Sequence, residues 1–324
     1  MKKSFKLFLA AAFLVTEFFV VALPLMITSA KADGHPIQAI THAGFGGGTD
    51  VTTRMMLLRT RRYLKQDMQL VNKKGGGGAA SMDYMMTLPA DGQHTLTWTT
   101  GHAVSMALGK TKVKLSDMQP LARGTDDPQL FVVNCKNDIK DAIKFISAQK
   151  SKSLKYGTTH VGGIDDVSAI AFTKKGKLTD PTIVPYKGVG PIKTNLIKGD
   201  IDVGVLNLGE AVTEIEDGTL CVSVVLASNR MEKLSNVPTA TELGIPVVLS
   251  TVRGFVTRKG VPADRKKQLE DAMIKAMEHK YFQSFLTDIG LDSTSVVGAD
   301  EWGKQMEVML AEMTAQLKAL GYIK

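Results

Sequence analysis

Short apolar segments alternate with segments whose apolar residues recur at helical spacing through the first third of the chain. Residues 36–40, 68–72 and 95–99 are short and β-permissive, which predicts strands. Residues 79–88 and the run that starts at Met55 carry apolar side chains at helical spacing. The repeated order of strand, glycine-rich loop and helix predicts an α/β fold with a parallel sheet, which binds ligands at the carboxyl ends of its strands.

The same alternation restarts near Leu121 and continues to the C-terminus. The strands predicted there lie at residues 130–134, 154–156, 182–184, 201–206, 222–227 and 252–257. The helices predicted there lie at residues 139–149, 165–173, 192–197, 264–285 and 300–320. Two successive α/β units predict a two-lobed protein with a ligand cleft between the lobes and hinge closure around the ligand.

Each predicted unit has one glycine-rich loop between the end of a strand and the start of a helix, at residues 44–49 and 157–163. Without a Cβ, glycine lets the backbone turn sharply and direct several N–H groups at one point, to which a helix N-terminus adds partial positive charge. Thr49 or Asp50 can cap the first helix, which leaves the preceding amides to face a ligand. The loops are therefore candidate anion sites, although a single glycine cluster is more often a simple turn and the dinucleotide spacing is met only loosely.

The N-terminus is typical of a secretory signal peptide. Three lysines precede an apolar run over residues 7–27, and Ala30 and Ala32 fit the small-residue rule for cleavage after Ala32. An uncleaved membrane anchor is the alternative, but Glu17 and Pro24 interrupt the run. No later segment is long and apolar enough to span a bilayer, so the sequence predicts a soluble periplasmic protein after cleavage.

The composition indicates a large core and a mild positive charge. The chain has 324 residues, of which 44% are hydrophobic, and this is enough for more than one domain. Its formal net charge is +8, and residues 1–32 carry four lysines and one glutamate, so the remainder has a charge of about +5. The lysines are dispersed without a nucleic-acid motif, so nucleic acid is not an expected partner, whereas a positive field would attract a small anion.

The cysteines and histidines give no catalytic or metal-binding pattern. Cys135 and Cys221 each adjoin a strand-like run in an exported protein, which leaves a disulfide and two buried thiols as alternatives. The histidines are dispersed, and the sequence lacks the P-loop, α/β-hydrolase and zinc-protease motifs. The sequence therefore predicts a binding protein without enzyme activity, cofactor or metal.

Several segments follow one another in the order of a known family's motifs. They are GGGTD at 46–50 with Arg54, VNKKGGGG at 71–78, ADGQHTL at 90–96, VPYKG at 184–188, LIKGDIDV at 196–203 and VPTATELG at 237–244. Taken together, they resemble the extracytoplasmic solute-binding proteins of tripartite tricarboxylate transporters, the TctC or Bug family. The resemblance covers nearly all of the chain beyond the predicted signal peptide.

This resemblance implies two mixed-sheet lobes joined by crossing strands. Residues 33–122 and 255–324 would form the first lobe and residues 123–254 the second, with crossing strands near 123–134 and 251–258. In this family one loop from each lobe holds a ligand carboxylate through backbone amides, hydroxyl groups and bridging water.

Carried over by position, the resemblance assigns the ligand to the two glycine-rich loops. The implied contacts are Phe45, Gly46, Gly47, Gly48 and Thr49 in the first loop, with Thr158, Thr159, Gly162, Gly163 and Asp166 in or beside the second. Position at the carboxyl ends of predicted strands adds Thr100, His102, Tyr186 and Asn207. The alternatives are a surface or core role for His102 and structural packing for Tyr186.

Three residues depart from the family pattern and bear on the ligand more than on the fold. Phe45 stands where proline or alanine is usual, Gly163 where serine or threonine is usual, and Asp166 where histidine is usual. An added acid near the cleft would disfavour a tricarboxylate, and Phe45 would pack on an apolar or aromatic ligand body. The alternatives are that Asp166 caps or supports its helix and that Phe45 is shielded from the cleft.

The sequence thus favours a monomeric periplasmic protein that captures a small carboxylate and delivers it to the permease subunits of a tripartite tricarboxylate-type transporter. A module that presents the carboxylate to a membrane sensor kinase is the alternative. A nucleotide-binding enzyme lacks supporting motifs, and the VPYKG and VPTATELG segments argue against a solute-binding protein of another transporter type.

Overall fold

Two β-sheets with flanking helices form the part of the chain described by a computed structural model, residues 35–159 and 161–323. The predicted signal peptide at residues 1–32, with cleavage after Ala32, lies outside these residues. Among the described residues, no helix combines the length and the apolar character needed to cross a bilayer.

Strands and helices alternate along most of the chain. The strands are β1 (Ile37–Thr41), β2 (Met68–Asn72), β3 (His94–Thr99), β4 (Met118–Pro128), β5 (Leu130–Asn134), β6 (Lys155–Thr158), β7 (Thr182–Pro185), β8 (Val203–Leu206), β9 (Leu220–Val225), β10 (Ser250–Arg258) and β11 (Val297–Gly298). The helices are α1 (Gly48–Leu64), α2 (Ala79–Met86), α3 (Thr100–Ala107), α4 (Ala142–Ser151), α5 (Ile164–Lys175), α6 (Val189–Lys198), α7 (Leu208–Glu216), α8 (Ala263–Glu278), α9 (Lys280–Asp288) and α10 (Ala299–Ala319).

The first sheet has the order β11-β4-β10-β3-β1-β2, and we call it and its helices the first lobe. β1 pairs in parallel with β2 and β3, whereas β10 is antiparallel to β3 and β4. Parallel neighbours require crossover connections, which α1 and α2 supply. The first glycine-rich loop and α3 therefore start from the carboxyl ends of two adjacent strands.

The second sheet has the order β7-β6-β8-β5-β9, and we call it and its helices the second lobe. β6 is parallel to β7 and β8, and β5 is antiparallel to β8 and β9. The second glycine-rich loop follows β6 and α7 follows β8, so both start at the same edge of the sheet. This edge is where open α/β sheets bind ligands.

The two sheets are connected by a short hydrogen-bonded crossing between β4 and β5. The amide of Gln129 donates to the carbonyl of Leu249 at 2.9 Å, and the amide of Leu226 donates to the carbonyl of Gln129 at 2.8 Å. A further bond of 2.9 Å runs from the amide of Leu249 to the carbonyl of Leu226. Three chain segments are thus tied together where the chain passes from the first sheet to the second.

Aromatic side chains fill the core of each lobe. In the first lobe the rings of Trp98 and Trp302 meet edge to face with centroids 5.8 Å apart, and a Cβ on Gly254 would lie 2.3 Å from the Trp302 ring. In the second lobe Phe131 contacts Phe172 edge to face at 4.9 Å. Burying each of these side chains contributes about 2–3 kcal/mol to the stability of the folded protein. This burial holds the helices against the sheets.

The predicted α/β fold class is confirmed, and the glycine-rich loops stand between strands and helices as expected. The residue pattern alone did not predict β4, whose sequence MQPLARGTDDP contains two prolines and several charges, although the crossing strand implied by the resemblance near 123–134 overlaps its second half. Distant partners stabilise this strand, because it pairs along its whole length with β10 and Arg123 donates to the carbonyls of Thr294 and Ser295. The strand propensity of neighbouring residues does not reveal contacts with residues that are distant in sequence.

The helical predictions differ in three places. The sequence pattern did not predict α3 and α7, which are short helices directly after strands. The single helix predicted over residues 264–285 is two helices, α8 and α9, because His279 has a ψ of 143° and its Nδ1 accepts the amide of Tyr281 as an N-cap. The lobe boundaries predicted at residues 122 and 254 stay predictions, and β4 and β10 run across them.

Cys135 and Cys221 form a disulfide, so this is the alternative that the structure adopts. Cys135 follows β5 and Cys221 lies in the neighbouring β9, opposite Val133. The bridge closes a loop between residues 86 apart in sequence and fastens the edge strand β9 to the second sheet.

Replacing both cysteines by serine should lower the free energy of unfolding by about 2–5 kcal/mol, because the unfolded chain loses a constraint on a long loop. Urea denaturation followed by circular dichroism measures this change. A reducing agent should lower the midpoint of the wild type to that of the variant and leave the variant unchanged. Equal midpoints for oxidised wild type and variant would contradict the expectation.

Candidate functional site

The first glycine-rich loop leads from β1 into the first turn of α1. Gly46 has a φ of 75°, which L side chains rarely adopt, and its amide donates to Oδ2 of Asp50 at 3.0 Å. Gly47 is the N-cap of α1 in an extended conformation. The amides of Gly48 and Thr49 have no hydrogen-bond partner within the described residues. The first turn of α1 therefore offers two free donors at the positive end of the helix dipole.

Phe45 lies on the outer side of this loop. Its side chain is 87% exposed, and the guanidinium of Arg54 lies 5.2 Å from the ring centroid. Nε of Arg54 also donates to Oδ2 of Asp50 at 2.8 Å. The packing of Phe45 on a ligand and the alternative that it is shielded from the cleft both stay predictions.

The second glycine-rich loop repeats this arrangement between β6 and α5. Gly162 has a φ of 65°, and its amide donates to Oδ2 of Asp166 at 2.5 Å. The amide and the hydroxyl of Thr159 donate to Oδ2 of Asp165 at 2.9 and 2.6 Å. In both loops a glycine with positive φ thus donates to a carboxylate four residues later. Asp166 thus holds the loop that precedes its helix, and its effect on a ligand stays a prediction.

Asp165 is buried in spite of its charge. Burial raises the pKa of its carboxyl group to about 7, against the hydrogen bonds from Thr159, and repulsion from Glu210 and Asp166 adds to the rise. The second loop therefore has an acidic group whose ionised form is costly near neutral pH.

Arg253 of β10 is a candidate site residue that the sequence reasoning missed. Its guanidinium is buried, and Nη1 donates to Oδ2 of Asp127 in β4 at 3.0 Å. Nη2 donates to Oδ1 of Asn207 at 3.0 Å, and Nε donates to the hydroxyl of Thr49 at 3.3 Å. A charged residue inside the strand predicted at 252–257 was the available signal, because a buried cation requires acceptors from neighbouring elements.

Arg253 brings the starts of α1 and α7 together. A Cβ on Gly48 would lie 2.6 Å from Nη2 of Arg253 and 3.2 Å from Oε1 of Glu210. The side chain of Asn207 donates through Nδ2 to the carbonyls of Asp127 and Pro128, both at 2.9 Å. The backbone N–H of Asn207 donates to Oε2 of Glu210 at 3.1 Å. Thr49 and Asn207, predicted as ligand contacts from opposite lobes, therefore meet on one guanidinium.

A second contact between the lobes lies at the second loop. Nζ of Lys110, which follows α3 in the first lobe, donates to the carbonyl of Val161 at 3.4 Å. The side chain of Val161 is exposed. Lys110 therefore places a positive charge beside a loop that carries two acids.

Thr100 and His102 serve the framework around the cleft. The hydroxyl of Thr100 donates to the carbonyl of Ser250 at 3.0 Å and accepts the amide of Val252 at 2.9 Å, so it fastens α3 to β10. Nδ1 of His102 accepts the amide of Thr99 at 3.0 Å. Burial, with a smaller contribution from His42, lowers the pKa of His102 well below its usual value, so its ring is neutral.

The other ring nitrogen of His102 is also occupied. Nε2 lies 3.0 Å from the hydroxyl of Ser81, which itself donates to the carbonyl of Gly78. Nε2 is therefore the protonated nitrogen and donates to Ser81. Both nitrogens have protein partners, which favours the core role for His102.

Thr158, Gly163 and Tyr186 surround the second loop at the end of β6. The hydroxyl of Thr158 is buried and has no hydrogen-bond partner among the described residues. The carbonyl of Thr158 accepts the amide of Tyr186 at 2.7 Å, and the ring of Tyr186 packs on the core of the second lobe. Gly163 is the N-cap of α5. Of these groups, the Thr158 hydroxyl is the one without a hydrogen-bond partner among the described residues, so a ligand could supply its partner.

A cavity of about 690 Å³ lies away from both loops, in the first lobe. Half of its ten lining residues are charged side chains of α8, such as Lys267 and Glu270. No residue of the two glycine-rich loops is among those that line it.

The chain resembles known proteins over most of its length. A family model described as "Tripartite tricarboxylate transporter family receptor" matches residues 52–320. Protein BugT of Bordetella pertussis is 27% identical over 220 residues, which cover 65% of this chain and 66% of BugT.

Two solved structures share the fold. MatC (Rpa3494) from Rhodopseudomonas palustris with bound malate has a TM-score of 0.78 at 23% identity and covers 87% of this chain and 98% of its own. Rpa4515 of R. palustris with adipate has a TM-score of 0.80 at 21% identity, covering 88% and 97%. At these identities the likeness concerns the two-lobed fold.

Replacing Asp165 by asparagine should stabilise the protein at pH 8. The folded-state pKa of Asp165 is raised to about 7, so ionising it in the folded state costs free energy, up to about 4 kcal/mol above pH 7. Asparagine keeps an acceptor for Thr159 and removes that cost. The gain should shrink at pH 5, where the wild-type carboxyl is protonated in the folded protein.

Thermal melts of wild type and variant at pH 5 and pH 8 measure this difference. Asp217→Asn is the matched control, because hydrogen bonds from Thr219 lower the pKa of that exposed carboxyl group and its removal should cost stability at pH 8. A lower melting temperature for Asp165→Asn than for wild type at pH 8 would contradict the buried-acid interpretation.

Proposed function

Because the chain belongs to the tripartite tricarboxylate transporter receptor family, we propose that it is a periplasmic solute-binding protein that captures a small carboxylate between its two lobes. The signal peptide predicted at residues 1–32 would export it. The captured solute would be delivered to the membrane permease subunits of a tripartite tricarboxylate-type transporter.

The observation that carries this proposal is the pair of helix N-termini at the edges of the two sheets. The amides of Gly48 and Thr49 and the buried hydroxyl of Thr158 have no partner among the described residues, and such donors suit a carboxylate. They lie in the two loops that the family resemblance assigns to the ligand. The malate and adipate in the two structural neighbours support a carboxylate as the ligand class.

The contacts of Arg253 indicate how binding couples to closure. Its guanidinium bonds Thr49 within the first lobe and Asn207 of the second, so the bond to Asn207 is the one that joins the lobes. A carboxylate at the first turn of α1 would attract the same guanidinium and favour the approach of the lobes. In the proposed cycle the open protein binds the solute, the lobes close, and the closed form docks on the permease.

Replacing Gly47 by valine should abolish carboxylate binding without unfolding the protein. Gly47 has a φ of −73°, so a side chain is sterically allowed, and its nearest neighbour would be the carbonyl of Gly44 at 3.4 Å. The new side chain would occupy the space in front of the free amides. A thermal-shift screen of residues 33–324 against mono-, di-, tri- and aromatic carboxylates, with nucleotides and sugars as comparison, identifies the ligand for this test.

Gly190→Val is the matched control, since Gly190 also has ordinary φ and no neighbour within 4 Å of a Cβ, but lies in α6. Isothermal titration should give wild-type affinity for this control and no detectable binding for Gly47→Val. Unchanged affinity in Gly47→Val would remove the first loop from the site.

Replacing Thr158 by valine should separate binding from stability. The wild-type hydroxyl is buried without a partner among the described residues, so its removal should leave the melting temperature of the unliganded protein unchanged or raise it. Affinity for the carboxylate should fall by about fivefold to tenfold, because the ligand loses a buried hydrogen bond of about 1 kcal/mol.

Thr173→Val provides the comparison within the same lobe, because that hydroxyl is bonded to the carbonyl of Ala169 inside α5. Titration calorimetry and thermal melts of both variants check the expectation. A Thr158→Val protein that binds as tightly as wild type would exclude this hydroxyl from ligand binding.

A further inference from the structure

The ion pair of Arg253 and Asp127 has an unused acceptor. Oδ2 of Asp127 accepts from Arg253, but Oδ1 is buried and has no hydrogen-bond partner among the described residues. A buried acceptor without a donor is costly, and a carboxylate oxygen is the most costly kind. A ligand that brings a donor to this point would remove the cost.

The same ion pair also has an unused donor. A guanidinium has five N–H groups, and those of Arg253 serve Thr49, Asp127, Thr251 and Asn207. One N–H of Nη2 remains within the described part of the chain, and Nη2 is packed against Gly48, beside the free amides of α1. Arg253 therefore has an N–H for an anion, and Asp127, which it contacts, has an oxygen for a cation or a neutral donor.

The charges at the two ends of the cleft differ. The first glycine-rich loop lies beside two cations, Arg253 and Lys74, and one acid, Glu210. Its own acid, Asp50, is paired with Arg54. The second loop holds Asp165 and Asp166, which already accept its own amides at Thr159 and Gly162. The anionic end of a ligand is therefore favoured at the first loop.

The surroundings of Asp127 favour a positive ligand group over a second carboxylate. Burial raises the pKa of Asp127 to about 7 against the attraction of Arg253, and repulsion from Glu210 and Asp126 adds to the rise. A ligand cation would hold Asp127 ionised, whereas another anion would increase the repulsion.

We propose that the captured solute is an α-amino acid bound as a zwitterion by Arg253 and Asp127. Its carboxylate accepts from the free N–H of Arg253 and from the first turn of α1, and its α-ammonium group donates to Oδ1 of Asp127. Because Arg253 and Asp127 are in contact, the two ligand groups must lie close together, which favours α-amino acids over ω-amino acids. This inference rests on the proposed function, since it specifies the ligand of the same cleft.

The first test is a thermal-shift screen of residues 33–324 against the twenty L-α-amino acids and simple mono- and dicarboxylates. The amino acid that raises the melting temperature most is then compared by titration calorimetry with its α-hydroxy and unsubstituted analogues, such as aspartate with malate and succinate or alanine with lactate and propionate. The amino compound should bind at least about tenfold more tightly than the unsubstituted one. Equal or tighter binding of the unsubstituted analogue would overturn the inference.

The second test replaces Asp127 by asparagine, which keeps its size and removes its charge. Affinity for the amino acid should fall at least about tenfold, while affinity for the unsubstituted carboxylate changes less than about threefold. Asp126→Asn is the control, because Asp126 faces Ser250 and Gln305 instead. Equal losses for both ligands in Asp127→Asn would overturn the role of Asp127.

A pH series on the wild type gives a reading that does not depend on the folding of a variant. Asp127 is faced by Arg253, Glu210 and Asp126. Its protonation between pH 8 and pH 6 should weaken binding of the amino acid more than binding of the unsubstituted analogue. A constant ratio between the affinities for the amino acid and for its unsubstituted analogue across this pH range would contradict the proposed contact between the ammonium group and Asp127.

The screen also separates this inference from the proposed function. If carboxylates without an amino group bind and no α-amino acid does, the inference is wrong and carboxylate capture stands. If no compound of either kind binds, the proposed capture of carboxylates fails and the inference fails with it.

Discussion

The buried guanidinium of Arg253 imposes the constraint on which the cleft depends. A cation taken out of water needs acceptors for its N–H groups, and losing them would leave an uncompensated charge. These acceptors come from the start of α1, from β4 and from the start of α7. Because these elements belong to different sheets, neutralising one side chain also determines where the two lobes meet.

The glycine-rich loops are shaped by the same requirement. Gly48 allows the guanidinium to approach α1, since a Cβ would lie 2.6 Å from Nη2. Gly46 turns the chain with a positive φ so that its amide reaches Asp50, and the amide of Gly47 donates to the carbonyl of Gly44. The amides of Gly48 and Thr49 then have no partner among the described residues. The carboxylate of Asp50 thus organises the loop by accepting one amide, and the remaining donors are available at low cost for a ligand.

Local sequence signals predicted the loops, and contacts between distant residues explain what was missed. Glycine clusters, helix periodicity and short apolar runs are properties of neighbouring residues, and the two loops were located from them. Arg253 lies 204, 126 and 46 residues from Thr49, Asp127 and Asn207. No local pattern carries these pairings, and β4 was missed for the same reason. Asp166 was recognised as a departure, but only the structure shows its bond to the Gly162 amide.

Two similar loops do not create two equivalent anion sites. Both use a carboxylate four residues after a glycine of positive φ, but the second loop adds Asp165, which takes the amide and the hydroxyl of Thr159. The first loop has the cations Arg253 and Lys74 beside it and one further acid, Glu210, so cations outnumber acids next to its amides. Hydrogen-bonding capacity and net charge therefore favour the same end of the cleft for an anion. The likeness of the loops arises from the turn geometry that each sheet edge requires, and the difference in their neighbours gives the cleft its polarity.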